Sequence, residues 1–372
     1  MWQAARRFAP ETRRRTLRAK RERQPVTRAN KHRLRNRPHR GIRRVVAVIG
    51  RGLGLLVAWP VIRVLDLHGR WPGAMTRTMN RAMGKFGSYR PREHDVLVCS
   101  YFKSGTNWTM HIALQIAYRG AASFEHIHDL VAWPEVPSRW GSAIAVPVED
   151  ESPWRNAPTG LRVIKTHLRA DQVPYSPAAR YICVVRDPKD AFVSSYYFVR
   201  DSILGPLMCS KEKWLRTFLS PDALCGPWAE HLNSWWALRQ RDNVLFLTYE
   251  QMKRDLPGSV RRIAAVMDVL LSDEELAAVV RQTSFEHMRQ VGDRFDLNHR
   301  VRSREAGSSM IRRGETGASR ELLTPKEQAR IDAYCRGGLT RLGCDFDYGR
   351  VYAGPAAASE AASDARAATS ST

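Results

Sequence analysis

Four short apolar runs, Val96–Cys99, Leu161–Ile164, Tyr181–Val185 and Val244–Leu247, constrain the fold of this 372-residue chain more than any other feature. Each is rich enough in β-branched or aromatic residues to form a strand, and the intervals leave room for helices. After the first run, Thr106–Tyr118 is apolar at Trp108, Ile112 and Ile116, which suits a buried helix. After the third, Ala191–Phe198 is again helix-compatible. Alternating strands and helices predict an α/β fold, a single domain with a central parallel sheet flanked by helices.

In such sheets ligands bind at the carboxyl ends of the strands. Lys103, Ser104 and Thr106 follow the first run; Lys165, Thr166 and His167 follow the second. Arg186, Asp187 and Lys189 follow the third; Thr248, Tyr249 and Glu250 follow the fourth. Any one cluster reads as an ordinary polar loop. Four together, three of them cationic, point to one anionic ligand across the sheet edge. The stretch from Ser100 to Trp108 reads strand, tight turn, helix. Gly105 lets the backbone approach closely, and helix-start N–H groups beside a Lys and hydroxyls cradle a phosphate. This P-loop-like turn is not a Walker A loop, because Lys103 precedes the glycine. No acidic cluster near it offers a Mg²⁺ site. No metal is expected, which weighs against a kinase.

Charge first suggests another partner. The formal net charge is +23, but residues 1–44 hold 17 Lys+Arg against 2 acids. Most of the imbalance therefore belongs to an arm that repels itself and is expected to be disordered. An anionic membrane surface is its expected partner, ahead of nucleic acid. A solvated arm, or translation from a later start at Met75, Met79 or Met83, accounts for it slightly better than any partner does. Residues 45–62 are apolar but contain Arg51, three Gly and Pro60. Against the roughly 20 residues of a spanning helix this is marginal. An interfacial helix beside the arm, or a helix packed on the protein, both fit.

The expected organisation is a basic arm (1–44), an apolar segment and linker (45–89), a catalytic domain (90–350) and an Ala/Ser-rich tail (351–372). The six cysteines show no CxxC spacing and read as reduced thiols. His126 and His128 lack a third metal ligand at a sensible spacing and read as loop residues. Trp133, Trp140 and Trp154 line an acceptor pocket or pack a lid. Trp235 and Trp236 read as core.

The motifs together resemble the sulfotransferases of the cytosolic type, which use 3′-phosphoadenosine 5′-phosphosulfate (PAPS). The family's Y-P-K-S-G-T-x-W appears as Y-F-K-S-G-T-N-W at Tyr101–Trp108. Its K-T-H-L appears at Lys165–Leu168, and its R-[DN]-x-K-D-x-x-x-S-x-Y runs from Arg186 through Ser194 to Tyr196. Its Y-E-x-M-K is Tyr249–Lys253, its T-S-F-x-x-M is Thr283–Met288, and its R-[KR]-G-x-x-G is Arg312–Gly317. Order and spacing agree over about 90–350.

The resemblance implies roles. Lys103 neutralises the leaving phosphate, while Ser104, Gly105, Thr106 and Asn107 hold the 5′-phosphate. Trp108 stacks on adenine, with Tyr249 and Thr283 reading the base. Arg186, Ser194, Arg312, Arg313 and Gly314 bind the 3′-phosphate, a geometry that suits bidentate Arg. His167 is the general base and Lys165 stabilises the sulfuryl oxygens. Phe102 departs from the usual Pro, Ser319 from a frequent Trp, and the animal dimer motif is not recognisable around 320–329. The implied activity is sulfuryl transfer from PAPS to a hydroxyl or amine on a small-molecule, lipid or glycan acceptor. The implied location is cytoplasmic, with the arm a candidate for peripheral membrane attachment. The rivals are a nucleotide-dependent phosphotransferase and a nucleic-acid-binding protein using the arm.

Overall fold

A computed structural model describes residues 67–352 except 84–85, 87, 137–143, 206–207 and 297–316. Helix α1 (Leu67–Met83) precedes strand β1 (Asp95–Ser100) and helix α2 (Thr106–Ala117). Strands β2 (Arg162–Thr166) and β3 (Arg180–Val185) follow, then α3 (Pro188–Phe198), which runs into a π-helical turn at Val199–Leu204. Helices α4 (Lys211–Phe218) and α5 (Trp228–Trp236) lead to β4 (Val244–Thr248). The remainder is helical: α6 (Tyr249–Arg254), α7 (Leu256–Val266), α8 (Asp273–Thr283), α9 (Phe285–Gln290), α10 (Pro325–Arg341) and α11 (Tyr348–Tyr352).

All four expected strands form one parallel sheet in the order β2-β1-β3-β4. The period-2 alternation of strand side chains divides the core. Val96, Val98, Val163, Ile182 and Val184 face Ile112 and Ile116 of α2, with Ile263 of α7 and Val279 of α8 in the same cluster. Leu97, Cys99, Ile164, Tyr181 and Cys183 face the other way, onto Phe86, Ala132 and Trp235. Burying each such large side chain contributes about 1.5–3 kcal/mol, so both faces must be covered. A third cluster joins Phe192 of α3, Trp214 of α4, Trp228 of α5 and Ile331 of α10.

One expectation needs correction: Lys165, Thr166 and Thr248 do not follow their strands but end them, because parallel pairing continues to Cys99–Thr166 and Val185–Thr248. Within the expected apolar or amphipathic segment and linker at 45–89, α1 is a 17-residue helix packed on α4. Residues 1–66, with the arm and the whole of the 45–62 apolar segment, lie outside the described residues, as do 353–372. Among the described residues no helix is long and apolar enough to cross a membrane. The six cysteines are free thiols, and Cys99 and Cys183 are register partners on β1 and β3. Trp235 is core as expected. Trp236 is half-buried and donates its indole N–H to Asp345.

Candidate active site

The turn from β1 to α2 is held by unusual backbone. Lys103 (φ 64°) and Gly105 (φ 94°) are both left-handed. At Gly105 a Cβ would also meet the Tyr249 ring at 2.8 Å, so only glycine fits. At Lys103 the conformation costs about 1–2 kcal/mol, the kind of strain that gathers at functional sites. Gly105 occupies the N-cap of α2 and supplies no side-chain cap, which leaves the first N–H groups of the helix to a ligand. Ser104 Oγ is fully buried with no hydrogen-bond partner. The Thr106 hydroxyl is bonded to Ser100 Oγ at 2.7 Å, and Asn107 is half-buried in the first turn. An orphan hydroxyl, an uncapped helix start and a glycine that keeps the backbone open fit an anionic phosphate.

His167 sits beside this turn. Its Nδ1 lies 2.8 Å from the Ser100 carbonyl. A carbonyl only accepts, so the proton is assigned to Nδ1 and the lone pair to Nε2. Burial, and next the charge of Lys165, push the imidazole pKa well below its usual value. Phe102 meets the ring edge-on at 5.8 Å and Trp133 at 6.0 Å. The Lys165 ammonium is buried 3.5 Å from the Trp133 ring centre. Burial pulls its pKa down to about 8, against the upward pull of Glu135. The Lys103 ammonium rests over Phe198, 4.3 Å from the ring centre.

Glu135 and Trp133 complete this cluster. Buried Glu135 accepts the Thr166 hydroxyl, the His167 N–H at 2.8 Å and the Trp133 indole N–H at 2.8 Å. Three donors converging on one carboxyl favour its ionised, acceptor-only form, although burial pushes its pKa up. Sequence reasoning missed Glu135 and left Trp133 undecided. The contact is brought about by Ala132, whose single bridge to Ile164 lays the 132–135 segment along the free edge of β2. No local pattern announces that bridge. His126 caps the single 3-10 turn Ile127–Asp129, and His128 lies within it: His128 Nδ1 meets the Val131 carbonyl at 2.9 Å, and its ring stacks on Trp133. Trp154 stacks on His94, which directly precedes β1 at the opposite end of the sheet from the turn, while Trp140 lies outside the described residues.

Arg186 leaves β3 with its carbonyl accepting from Trp228 Nε1. Its guanidinium covers the Tyr249 ring at 4.5 Å, bonds the Lys103 carbonyl at 3.4 Å and faces Asp190 at 3.6 Å. Asp190 accepts the N–H groups of Gly317 and Ser319. It therefore anchors the chain that emerges from 297–316. Arg312, Arg313 and Gly314 fall in that segment and lie outside the described residues. Ser194 is half-buried on α3. Lys189, expected at the ligand edge, instead pairs with Asp332 of α10 at 2.6 Å and with Asp187 at 3.2 Å. Trp108 donates its indole N–H to the Thr283 carbonyl at 2.7 Å and meets Tyr249 edge-on at 5.5 Å. Thr283 itself is fully buried, its hydroxyl spent on Val279.

A family model described as the sulfotransferase domain matches residues 93–343. Sulfotransferase 1C2 of Homo sapiens is 29% identical over 262 residues, 67% of this chain and 84% of that protein. The amine sulfotransferase of Oryctolagus cuniculus is 28% identical over 258 residues, 68% of this chain and 83% of that one. Among solved structures, mouse sulfotransferase SULT7A1 complexed with PAP superposes with a TM-score of 0.55 at 25% identity, covering 77% of this chain and 95% of that one. Retinol dehydratase shares the fold, with a TM-score of 0.59 at 22% identity over 73% of this chain and 88% of that one. With about two-thirds of its length matched to the sulfotransferase domain, the chain belongs to the PAPS-dependent sulfotransferase family.

Proposed function

We propose that this enzyme transfers the sulfuryl group of PAPS to an acceptor hydroxyl or amine by in-line displacement, with His167 as general base. The observation that carries this reading is the Nδ1 bond of His167 to the Ser100 carbonyl, which leaves Nε2 to take the acceptor's proton. The PAP bound by the mouse relative supports PAPS as cosubstrate. Bound PAPS supplies an electrophilic sulfur and leaves as PAP.

Ser104, Gly105, Thr106 and Asn107 hold the 5′-phosphate. Trp108 and Tyr249 hold the adenine, and Thr283 acts through its carbonyl by fixing the Trp108 ring. Arg186 and Ser194 take the 3′-phosphate, together with Arg312, Arg313 and Gly314 from the neighbouring segment. Lys103 meets the charge growing on the phosphate oxygen as the S–O bond breaks, and Lys165 meets the sulfuryl oxygens. Phe102, Trp133 and Phe198 give the acceptor side aromatic walls, which suits an apolar small molecule or lipid with one reactive hydroxyl or amine. The basic arm and the 45–62 segment would hold the cytoplasmic enzyme at an anionic membrane surface.

Turnover with PAPS is expected to persist in EDTA, followed as sulfonate added to an acceptor pool by mass spectrometry. Turnover only with ATP and Mg²⁺ would instead make the protein a phosphotransferase. A second expectation concerns Glu135. The Glu135→Gln variant keeps the shape of the side chain but loses the charge, and one of its acceptor oxygens becomes a donor. Turnover should fall by about 10²-fold, the cost of roughly 1 Å of misplacement at the reacting groups. Glu135 pulls the Lys165 pKa up, so without it that pKa drops below about 8. The basic limb of the kcat/KM profile then moves to lower pH; an unmoved limb would separate Glu135 from Lys165.

A further inference from the structure

The matched domain begins at residue 93, beyond the end of α1. Yet α1 grips the turn that precedes α5. Asn80 Nδ2 donates to the Ala223 carbonyl at 2.8 Å, and Asn80 Oδ1 accepts the Cys225 N–H at 2.8 Å. Arg77 pairs with Asp222, and Met75 and Met79 pack into the cluster that holds Trp214 and Phe218.

The turn so gripped is strained. Cys225 (φ 64°) and Gly226 (φ 80°) are consecutive left-handed residues. A side-chain-bearing residue holds that conformation only where its surroundings impose it, and Asn80 bonds the Cys225 N–H itself. The same turn reaches the active site twice. Gly226 O accepts the Tyr101 hydroxyl at 3.0 Å, and Tyr101 opens the phosphosulfate turn, where its carbonyl accepts the Ser104 N–H. Leu224 lines a small cavity with Tyr101, Phe102, Trp214 and Phe218, and Phe102 is the ring edge-on to His167. Cys225 is also near enough to Lys165 for the two to influence each other's protonation.

We propose that α1 is a working part of this sulfotransferase, with Asn80 as a positioning residue. It holds the 223–226 turn and, through that turn, the Tyr101 anchor and the acceptor-side wall at Leu224 and Phe102. The proposal rests on the sulfuryl-transfer reading of the Lys103 turn and His167. It also means that a chain begun at Met83 lacks the residue that makes the grip.

The test uses full-length Asn80→Ala with PAPS and 2-naphthol, or whichever simple phenol or amine the wild type sulfonates fastest. In parallel, iodoacetamide labelling of each cysteine is mapped by mass spectrometry. The expected kcat falls about tenfold, within the range set by small misplacements near reacting groups, while PAP affinity holds. Local release of the turn raises Cys225 labelling about tenfold while buried Cys99, Cys183, Cys209 and Cys335 stay protected. Adding Cys225→Gly restores turnover, because glycine accepts the left-handed turn without help. Exposed Arg81 on the same helix, changed to Ala, leaves both readouts unchanged. If Asn80→Ala does not accumulate, Tyr101→Phe cuts the same chain at its other end, and the same kcat loss is expected. Unchanged turnover overturns the proposal. So does a loss in which all six cysteines label together and glycine at 225 rescues nothing. A wild type that sulfonates no acceptor fails the sulfuryl-transfer reading instead, and the labelling arm still tests the grip.

Discussion

Replacing His167 by alanine is expected to lower kcat by about 10²–10⁴-fold, the usual share of a general base, with PAP affinity retained. In the proposed mechanism the ring reaches the reaction through one atom. Nδ1 is committed to the Ser100 carbonyl, so any proton taken from the acceptor goes to Nε2. Burial and Lys165 hold the imidazole neutral well below its ordinary pKa. The wild-type acid limb should therefore lie well to the acid side of an ordinary histidine, and the basic limb near the Lys165 value of about 8. Stability carries the matching sign. A histidine kept neutral in the fold but protonated in the unfolded chain lowers stability as pH falls below its unfolded pKa of about 6.5. His111 and His231, each held down to about 3 by burial, act in the same direction. Thermal unfolding of His167→Ala should thus lose less stability between pH 7.5 and pH 5 than the wild type does. Loss of PAP binding together with turnover would mark His167 as structural.

Lys103→Ala is expected to reduce kcat by about 10²–10³-fold, the scale for removing one preorganised electrostatic group, and to weaken PAPS binding as well. Two features make this residue costly to replace. Its backbone is left-handed, so the chain accepts strain to aim the side chain. Its ammonium lies over Phe198, one of the rings proposed to wall the acceptor side. Alanine inherits the strain and removes the charge. Single-turnover kinetics alongside PAP titration separates the two losses; near-normal single-turnover rates would refute a role in the chemical step.

The sheet was legible because its strands are buried on both faces and read as continuous apolar runs between turn residues. The strand–turn–helix from Ser100 to Trp108 was legible because it is local: Lys103, Gly105 and Thr106 lie within a few residues and need only a strand before and a helix after. Distance along the chain hid the rest. Glu135 is 32 residues from His167, and nothing in its own neighbourhood suggests a partner. Asn80 is 145 residues from Cys225, in a stretch whose composition reads as linker. Lys189 misled because a lysine near a strand end looks the same whether it meets a phosphate or, as here, Asp332.

The Ser100 carbonyl has a further consequence. It is the last peptide of β1, and the next few residues of the same chain are the proposed phosphate cradle. The histidine proposed as proton acceptor is thus tied to the strand end from which the proposed phosphate turn begins, so the gap between them is spanned by a few peptide units of one chain. A sheet that shifts or breathes carries both together. On the proposed mechanism, drift elsewhere in the chain, including wholesale change in the loops proposed to face the acceptor, can alter what is sulfonated while leaving the line of attack in register. Insertions between Ser100 and Gly105 have no such tolerance, since they lengthen the ruler itself.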